Sequence, residues 1–309
     1  MLERALSASF HQGSDHFFLD VPFRPLFVQH KESSAMEKTT RRSVLALAAA
    51  APAALAGAAG AQTAPPRPGN GRAALVTGSS RGIGAATAKR LAQDGFAVTV
   101  NYLTNRDLAA QVVRDIEAAG GRAIFRQGDV ADPEAVKALF DANEEAFGGV
   151  DVVISNAAIM NTAPFAQFTD EAFDRMIATN IKGSFNVLRE AARRTRDGGR
   201  IVTLASTSIK AMRATHGGYA ATKAAQQIYA GCLSKELSGR RISVNALAPG
   251  PTNTDLLDVP PPLRAQAAQM TPYGRIGEPE DIANAIAALC SGDGEWINGQ
   301  VVFANGGFL

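Results

Sequence analysis

"AALVTGSSRGIG", Ala73 to Gly84, is the stretch on which the fold turns. Its first half is a short apolar run. Its second half carries glycines at 78, 82 and 84, and an amphipathic segment follows directly. A strand that ends in a glycine-rich turn and feeds a helix gathers free backbone N–H groups and the positive end of the helix dipole at one point. Glycine lets the backbone turn sharply there and approach an anionic group such as a pyrophosphate. The spacing is G-x-x-x-G-x-G, and no Gly-Lys-Ser/Thr closes it, so it is not a Walker loop. A plain tight turn looks the same in isolation. Its place between a strand and a helix makes nucleotide binding the better reading.

The same rhythm continues downstream. Apolar runs at 96–101 (FAVTVN), 123–129 (AIFRQGD), 150–155 (VDVVIS), 200–206 (RIVTLAS), 241–250 (RISVNALAPG) and 300–307 (QVVFANGG) bring the strands to seven. Helical segments lie between them. Leu108, Val112 and Ile116 recur at helix spacing, with Gly120 as a stop. Asp132 and Pro133 form an N-cap followed by proline at the first helical position. Strands alternating with helices imply a parallel sheet covered on both faces. The expectation is one doubly wound α/β domain over residues 72–309, without internal repeats.

Composition excludes several classes. The chain has 309 residues, 46% hydrophobic and 19% charged, with a net charge of +2, which is an ordinary globular balance with no basic patch for nucleic acid. Cys232 and Cys290 match neither a disulfide scaffold nor a zinc spacing. Of four histidines only His216 lies in the main body, so no metal site is expected. His216 is expected on a surface loop, with pocket lining as the alternative, and Trp296 is expected to pack.

The first seventy residues read differently. Arg41 and Arg42 precede an uncharged Ala/Leu/Gly run from Val44 to Ala61, and Ala59-Gly60-Ala61 offers a small-x-small cleavage site. Residues 1–61 therefore read as an N-terminal extension holding a twin-arginine signal peptide that starts at Met36. A membrane anchor is the lesser reading, because the run is Ala-rich, interrupted by Pro52 and short for a spanning helix. Residues 62–71 are a Pro/Gly-rich leader. The expected location is the periplasm, with an uncleaved extension on a cytoplasmic enzyme as the alternative.

At the end of the second strand, where an acid would hold a ribose 2′-hydroxyl, stands Asn101. Arg81 lies inside the glycine turn and Arg106 follows the second strand. A cation without a competing acid suits a 2′-phosphate, so NADP(H) is preferred, with NAD(H) as the alternative. Asp129 ends the third strand, either beside an adenine or as a turn cap. In "GGYAATKAA", residues 217–225, Tyr219 and Lys223 share one helix face. Taken alone, the pair reads as a solvated lysine beside a half-buried tyrosine, or as an ammonium that lowers the phenol pKa and makes it a usable acid/base.

These motifs, in this order, resemble the short-chain dehydrogenase/reductase family in its compact single-domain branch, over Arg72 to Leu309. "TGSSRGIG" resembles its cofactor loop, "SNAA" (155–158) its Asn-Asn-Ala-Gly stretch, and "APGPTNT" (248–254) the loop that touches the nicotinamide carboxamide. "TNIKGSF" supplies Asn180, and Ser206, Tyr219 and Lys223 complete the family's catalytic set. The resemblance implies a Rossmann-type fold and an oxidoreductase acting on a carbonyl or secondary alcohol, with similarity to 3-oxoacyl-carrier-protein reductases. It implies cofactor contacts from Gly78, Ser80, Arg81, Gly82, Ile83 and Gly84. Further contacts are implied for Asn101, Asp129, Val130, Asn156 and Ala157, then for Pro249, Gly250, Thr252 and Thr254, besides Tyr219 and Lys223. A homodimer or homotetramer is implied as well. Helices that carry the two cysteines cover opposite faces in such folds, so no disulfide is expected.

Tyr219 is then the proton donor to a carbonyl oxygen, and Ser206 a hydrogen-bond donor to that oxygen. Asn180 falls on the inward helix face with Met176, Ser184 and Val187. Its expected partners are a water and the Lys223 ammonium, in a proton relay, or it serves only to kink the helix. Leu256 to Gly277 reads as a substrate lid or as an ordered loop. A cofactor-sensing protein with little chemistry is the alternative function, and the complete Asn-Ser-Tyr-Lys set argues for the enzyme.

Overall fold

The structure is a computed structural model that describes residues 69–257 and 259–309. The N-terminal extension, its twin-arginine segment and the leader up to residue 68 lie outside the described residues.

Seven strands form one sheet: β1 (Ala73–Val76), β2 (Ala97–Tyr102), β3 (Arg122–Gln127), β4 (Val150–Ser155), β5 (Thr195–Leu204), β6 (Ser243–Pro249) and β7 (Val301–Ala304). Every neighbouring pair is parallel, in the order β3-β2-β1-β4-β5-β6-β7. Nine helices are described: α1 (Gly82–Gln93), α2 (Arg106–Ala118), α3 (Pro133–Phe147), α4 (Asp170–Met176), α5 (Ser184–Arg194), α6 (Ser208–Ala211), α7 (Gly217–Glu236), α8 (Pro261–Gln269) and α9 (Pro279–Cys290). A π-helical stretch, Ile177–Gly183, joins α4 to α5.

The strand pattern follows from burial on both faces. Ala74 and Val76 point into one core and Leu75 into the other, so the central strand reads as a continuous apolar run. Leu91, Val112 and Ile286 bring α1, α2 and α9 onto the first face. Phe140, Val187 and Leu233 bring α3, α5 and α7 onto the second. Cys232 on α7 and Cys290 on α9 therefore sit on opposite sides of the sheet, and both are free thiols.

Local signals hold at the helix ends. The Asp132 carboxylate accepts from the Glu134 N–H at 2.9 Å, with Pro133 opening α3. Gly120, just beyond the end of α2, has φ +79°. Three expectations need correction. β5 starts at Thr195 rather than Arg200, because Thr195 already pairs with Val150 before a register shift. Leu108 is exposed, and Ala109 with Val113 takes its place beside Val112 and Ile116, so the buried stripe is turned by one residue. Trp296 is 97% exposed, in the connection between α9 and β7 and outside both cores.

Strand order reverses about β1 and β4. In such sheets the crevice beyond the strand ends opens at that switch point. Gly84 closes the packing there. A Cβ at Gly84 would lie 2.4 Å from the Gly78 carbonyl oxygen and 2.6 Å from Asn156 Nδ2. Gly84→Ala is expected to cost about 1–3 kcal/mol as overpacking. Thermal unfolding should show this as a fall of roughly 2–4 °C per kcal/mol, and an unchanged midpoint would contradict the close approach.

Candidate active site

The crevice begins with a brace across three strand ends. The Thr77 hydroxyl accepts from the N–H groups of Asn156 at 3.0 Å and Ala157 at 3.2 Å. Asn156 Nδ2 donates to the carbonyls of Thr77 at 2.8 Å and Gly78 at 3.0 Å. Gly78 N–H donates to Asn101 Oδ1 at 3.0 Å. Gly78 has φ +60°, and a Cβ there would meet the Ala157 backbone at 2.8 Å. The turn is thus fixed by β2 and β4 before any ligand is considered.

The brace changes what Asn101 does. It lines the crevice, but Oδ1 is taken by Gly78 and Nδ2 donates to the Gly128 carbonyl at 3.0 Å. It holds the turn rather than offering a free amide to a ribose. Asp129 also lines the crevice, and its carboxylate accepts from the Ala131 N–H at 2.9 Å as a turn cap. Val130 is buried beside it and packs close to Gly183.

Above the brace the first turn of α1 carries no acidic residue, and its N-cap, Arg81, makes no side-chain cap. Its N–H groups and dipole face a cleft of about 700 Å³. Gly78, Ser80, Arg81, Gly82, Ile83 and Gly84 line that cleft, as do Asn156, Ala157, Pro249, Gly250, Thr252 and Thr254. An uncapped helix end, a cation and an elongated cleft at the switch point fit the phosphates of a dinucleotide.

The two cations expected near a 2′-phosphate part company. Arg106 stacks over the Phe125 ring, 5.4 Å from its centroid, and does not line the cleft. Arg81 does, but it has an acid beside it: Asp255 Oδ2 lies 3.0 Å from its Nη1. No acid stands at the end of β2, where Asn101 is found, but one from elsewhere pairs with Arg81. The acid comes from the segment after β6, 174 residues away, where no local reading finds it. Both side chains are more than half exposed, so the pair contributes no more than about 1 kcal/mol.

The residues expected to be catalytic lie on the second face. Tyr219 and Lys223 lie one turn apart on α7, both buried, with Lys223 Nζ 5.8 Å from the Tyr219 ring centroid. Ser206 follows β5 at its carboxyl end, where its hydroxyl accepts from the Ser208 N–H at 3.1 Å and pairs with the Ser208 hydroxyl. Burial pushes the Tyr219 phenol up to about 12, and the adjacent Ser206 hydroxyl opposes that shift. Burial pushes the Lys223 ammonium down to about 7. The expected lowering of the phenol by its lysine does not appear, since burial sets the Tyr219 shift and Ser206 alone opposes it.

Asn180 is fully buried within the π-helical stretch. Its side chain accepts from the Ile159 N–H at 2.9 Å and donates to the Ile159 carbonyl at 2.8 Å and to Thr222 Oγ1 at 3.0 Å. It does not touch Lys223. Lys223 donates instead to the Leu204 carbonyl at 2.6 Å and to Gln226 Oε1 at 3.2 Å. The expected direct pairing of Asn180 with Lys223 is corrected: the Asn180 amide ties α7 and the segment after β4 together.

At the other end of the cleft, Leu257, Val259, Leu263, Met160 and Phe308 form an apolar wall with Arg213 and His216 at its rim. The segment 256–277 carries α8 and covers this end. His216 stands in the loop before α7 as its N-cap and lines the cleft, so the pocket alternative holds. Thr77, Thr222, Gln226 and Phe308 escape sequence reading. Only Gln226 leaves a trace there, as a polar residue on the inward face of α7.

Comparison with known proteins agrees with this geometry. A family model described as "Enoyl-(Acyl carrier protein) reductase" matches residues 78–309. NADPH-dependent aldehyde reductase 2, chloroplastic, of Arabidopsis thaliana is 41% identical over 77% of this chain and 94% of its own length. Versicolorin reductase of Emericella nidulans is 39% identical over 77% and 96%. A short-chain dehydrogenase from Burkholderia cenocepacia, solved in complex with NADP, superposes with a TM-score of 0.73 at 38% identity, over 77% of this chain and 98% of that one. The chain belongs to the short-chain dehydrogenase/reductase family and is an oxidoreductase acting on carbonyl or alcohol groups.

Arg81→Ala is expected to weaken NADPH binding roughly 10- to 100-fold more than NADH binding, because only the 2′-phosphate differs. Asp255→Asn is expected to tighten NADPH binding by up to about fivefold. Titration of both variants with both cofactors by nucleotide fluorescence checks this. Equal losses for the two cofactors in Arg81→Ala would remove Arg81 from phosphate recognition.

Proposed function

We propose that this protein is an NADP(H)-dependent reductase of apolar aldehydes or ketones, with Tyr219 as the general acid and, in reverse, the general base. The carrying observation is that Tyr219, Lys223 and Ser206 converge where the apolar end of the cleft meets its nucleotide end. Arg81 at the cleft rim and the NADPH and NADP named with the relatives support the choice of cofactor. The apolar wall supports the substrate class.

When bound in this cleft, NADPH would supply a hydride for the carbonyl carbon. The Tyr219 phenol gives its proton to the carbonyl oxygen, so atoms and charge balance in the alcohol product. The Ser206 hydroxyl donates a hydrogen bond to the same oxygen and shares the charge that develops there. Lys223, while protonated, favours the phenolate left behind. The α8 segment limits water at the reacting end.

The chain is also proposed to assemble as a homodimer or homotetramer. Ala221 is exposed on α7, and Ile228 and Phe185 are exposed on α7 and α5, so one face mixes small and apolar residues. Light scattering is expected to give a multiple of the monomer mass, and a monomer mass at micromolar concentration would overturn the assembly. The paired Arg41 and Arg42 ahead of the uncharged run support periplasmic export. Fractionation tests it: a mature N-terminus near Gln62 in the periplasm is expected, and full-length protein in the cytoplasm alone overturns export.

Tyr219→Phe removes only the phenol oxygen. NADPH oxidation with a panel of aryl aldehydes and ketones is expected to fall roughly 10²–10⁴-fold, with NADPH affinity retained. Full activity in the folded variant would overturn the acid assignment. Tight NADPH binding with no turnover by the wild type on any probe would favour the cofactor-sensing reading.

A further inference from the structure

Gln226 is 1% exposed, one turn beyond Lys223 on the inward face of α7. Every hydrogen-bonding group of its amide is engaged. Nε2 donates to the Asn180 carbonyl at 2.8 Å and to Ser184 Oγ at 2.9 Å. Oε1 accepts from Lys223 Nζ at 3.2 Å. The assignment of nitrogen and oxygen follows from chemistry, since a backbone carbonyl only accepts and an ammonium only donates.

The π-helical stretch is what makes this contact available. In a regular α-helix the Asn180 carbonyl would accept from the Ser184 N–H, but that N–H turns to the Ile181 carbonyl. The Asn180 carbonyl is thereby presented to α7, and Gln226 takes it. The amide spans the gap between Asn180 and Lys223.

We propose that Gln226 is a positioning residue of the acid/base machinery, its carboxamide standing where a water would otherwise link Asn180 to Lys223, and holding that ammonium charged and aimed along α7. The inference rests on the reading of Tyr219 and Lys223 as the acid/base pair. The surroundings of Lys223 explain why a carboxamide suits this place. Among the described residues, Tyr219 on its own helix is the titratable group against it. The other elements packed there offer Leu204 and Ser206 from β5 and its end, Asn180 from the π-helical stretch and Ser184 from α5, none of them charged. A buried ammonium needs acceptors, and it has the Leu204 carbonyl and Gln226 Oε1. A carboxylate at 226 would grip the ammonium harder but cancel its field at the phenol. A carboxamide lends a carbonyl dipole and leaves the positive charge uncancelled. Because both Nε2 protons are held by Asn180 and Ser184, Oε1 is fixed in place before the reaction begins. A carboxamide does not pass protons on as water does, so this link is electrostatic and not a relay.

The test compares the wild type with Gln226→Leu and Gln226→Met, which keep bulk and remove the amide. In protein labelled with ¹⁵N-lysine, the Nζ resonance of Lys223 is identified as the one missing from Lys223→Arg. Its titration midpoint, measured with NADP⁺ bound, is expected to fall by roughly one pH unit or more in both variants. Turnover of an aryl aldehyde should lose its alkaline side by the same interval, while the NADP⁺ dissociation constant stays near the wild-type value. An unmoved midpoint in the folded variants overturns the proposal and reduces Gln226 to packing. If neither variant folds, a high-resolution crystal structure of the wild type with NADP⁺ decides. The amide in contact with both Asn180 and Lys223 supports the proposal, and a water between them with Gln226 turned away overturns it. The titration needs no substrate, so failure of the reductase reading would appear separately, as absent turnover with a normal Lys223 midpoint.

Discussion

A lysine ammonium buried without a carboxylate beside it is costly to fold around, and much of this architecture answers that cost. Lys223 is 2% exposed, and its neighbours are carbonyl and amide dipoles. The Leu204 carbonyl reaches it because β5 ends at that residue, leaving an oxygen free of the ladder. Gln226 reaches it because the π-helical stretch leaves the Asn180 carbonyl for the other end of the same amide. The parallel sheet thus contributes more than a scaffold: its strand ends supply the dipoles that solvate a buried cation.

The rest of the cleft is arranged around the same switch point. One half is a rigid brace of Thr77, Gly78, Asn101 and Asn156, which fixes the turn and leaves the first N–H groups of α1 facing outward. The other half is an apolar wall built from sequence-distant pieces, with α8 and Phe308 closing it. The Arg81–Asp255 pair joins the two halves at the surface. It is weak by virtue of its exposure.

Much of this was legible in the residues. The seven apolar runs located every strand, because a sheet buried on both faces leaves a continuous signal. Asp132 and Gly120 marked helix boundaries through their own local chemistry. The shared face of Tyr219 and Lys223 was legible in their spacing, their role and that of Ser206 came with the family resemblance, and all three line one cleft. The misreadings share one cause, which is partnership at long range. The amide of Asn101 is taken at both ends, by Gly78 beyond β1 and by Gly128 beyond β3. Arg81 looked unpaired because its acid lies far along the chain. Asn180 was legible as a buried amide, but not which partners it takes, since a π-helical register leaves no mark in hydrophobic periodicity. Gln226 went unread for the same reason: a polar residue on an apolar face has meaning only once its neighbours are known.

The central claim is that Tyr219 and Ser206 face a carbonyl oxygen, so that hydride and proton add across a C=O bond. The description attached to the matching family model makes reduction of a conjugated C=C bond the natural rival. The most direct measurement gives the enzyme cinnamaldehyde with NADPH deuterated on the transferred position and locates the label in the product by NMR. This account predicts deuterium on the former carbonyl carbon, in the unsaturated alcohol. Deuterium on the β-carbon of the saturated aldehyde would contradict it.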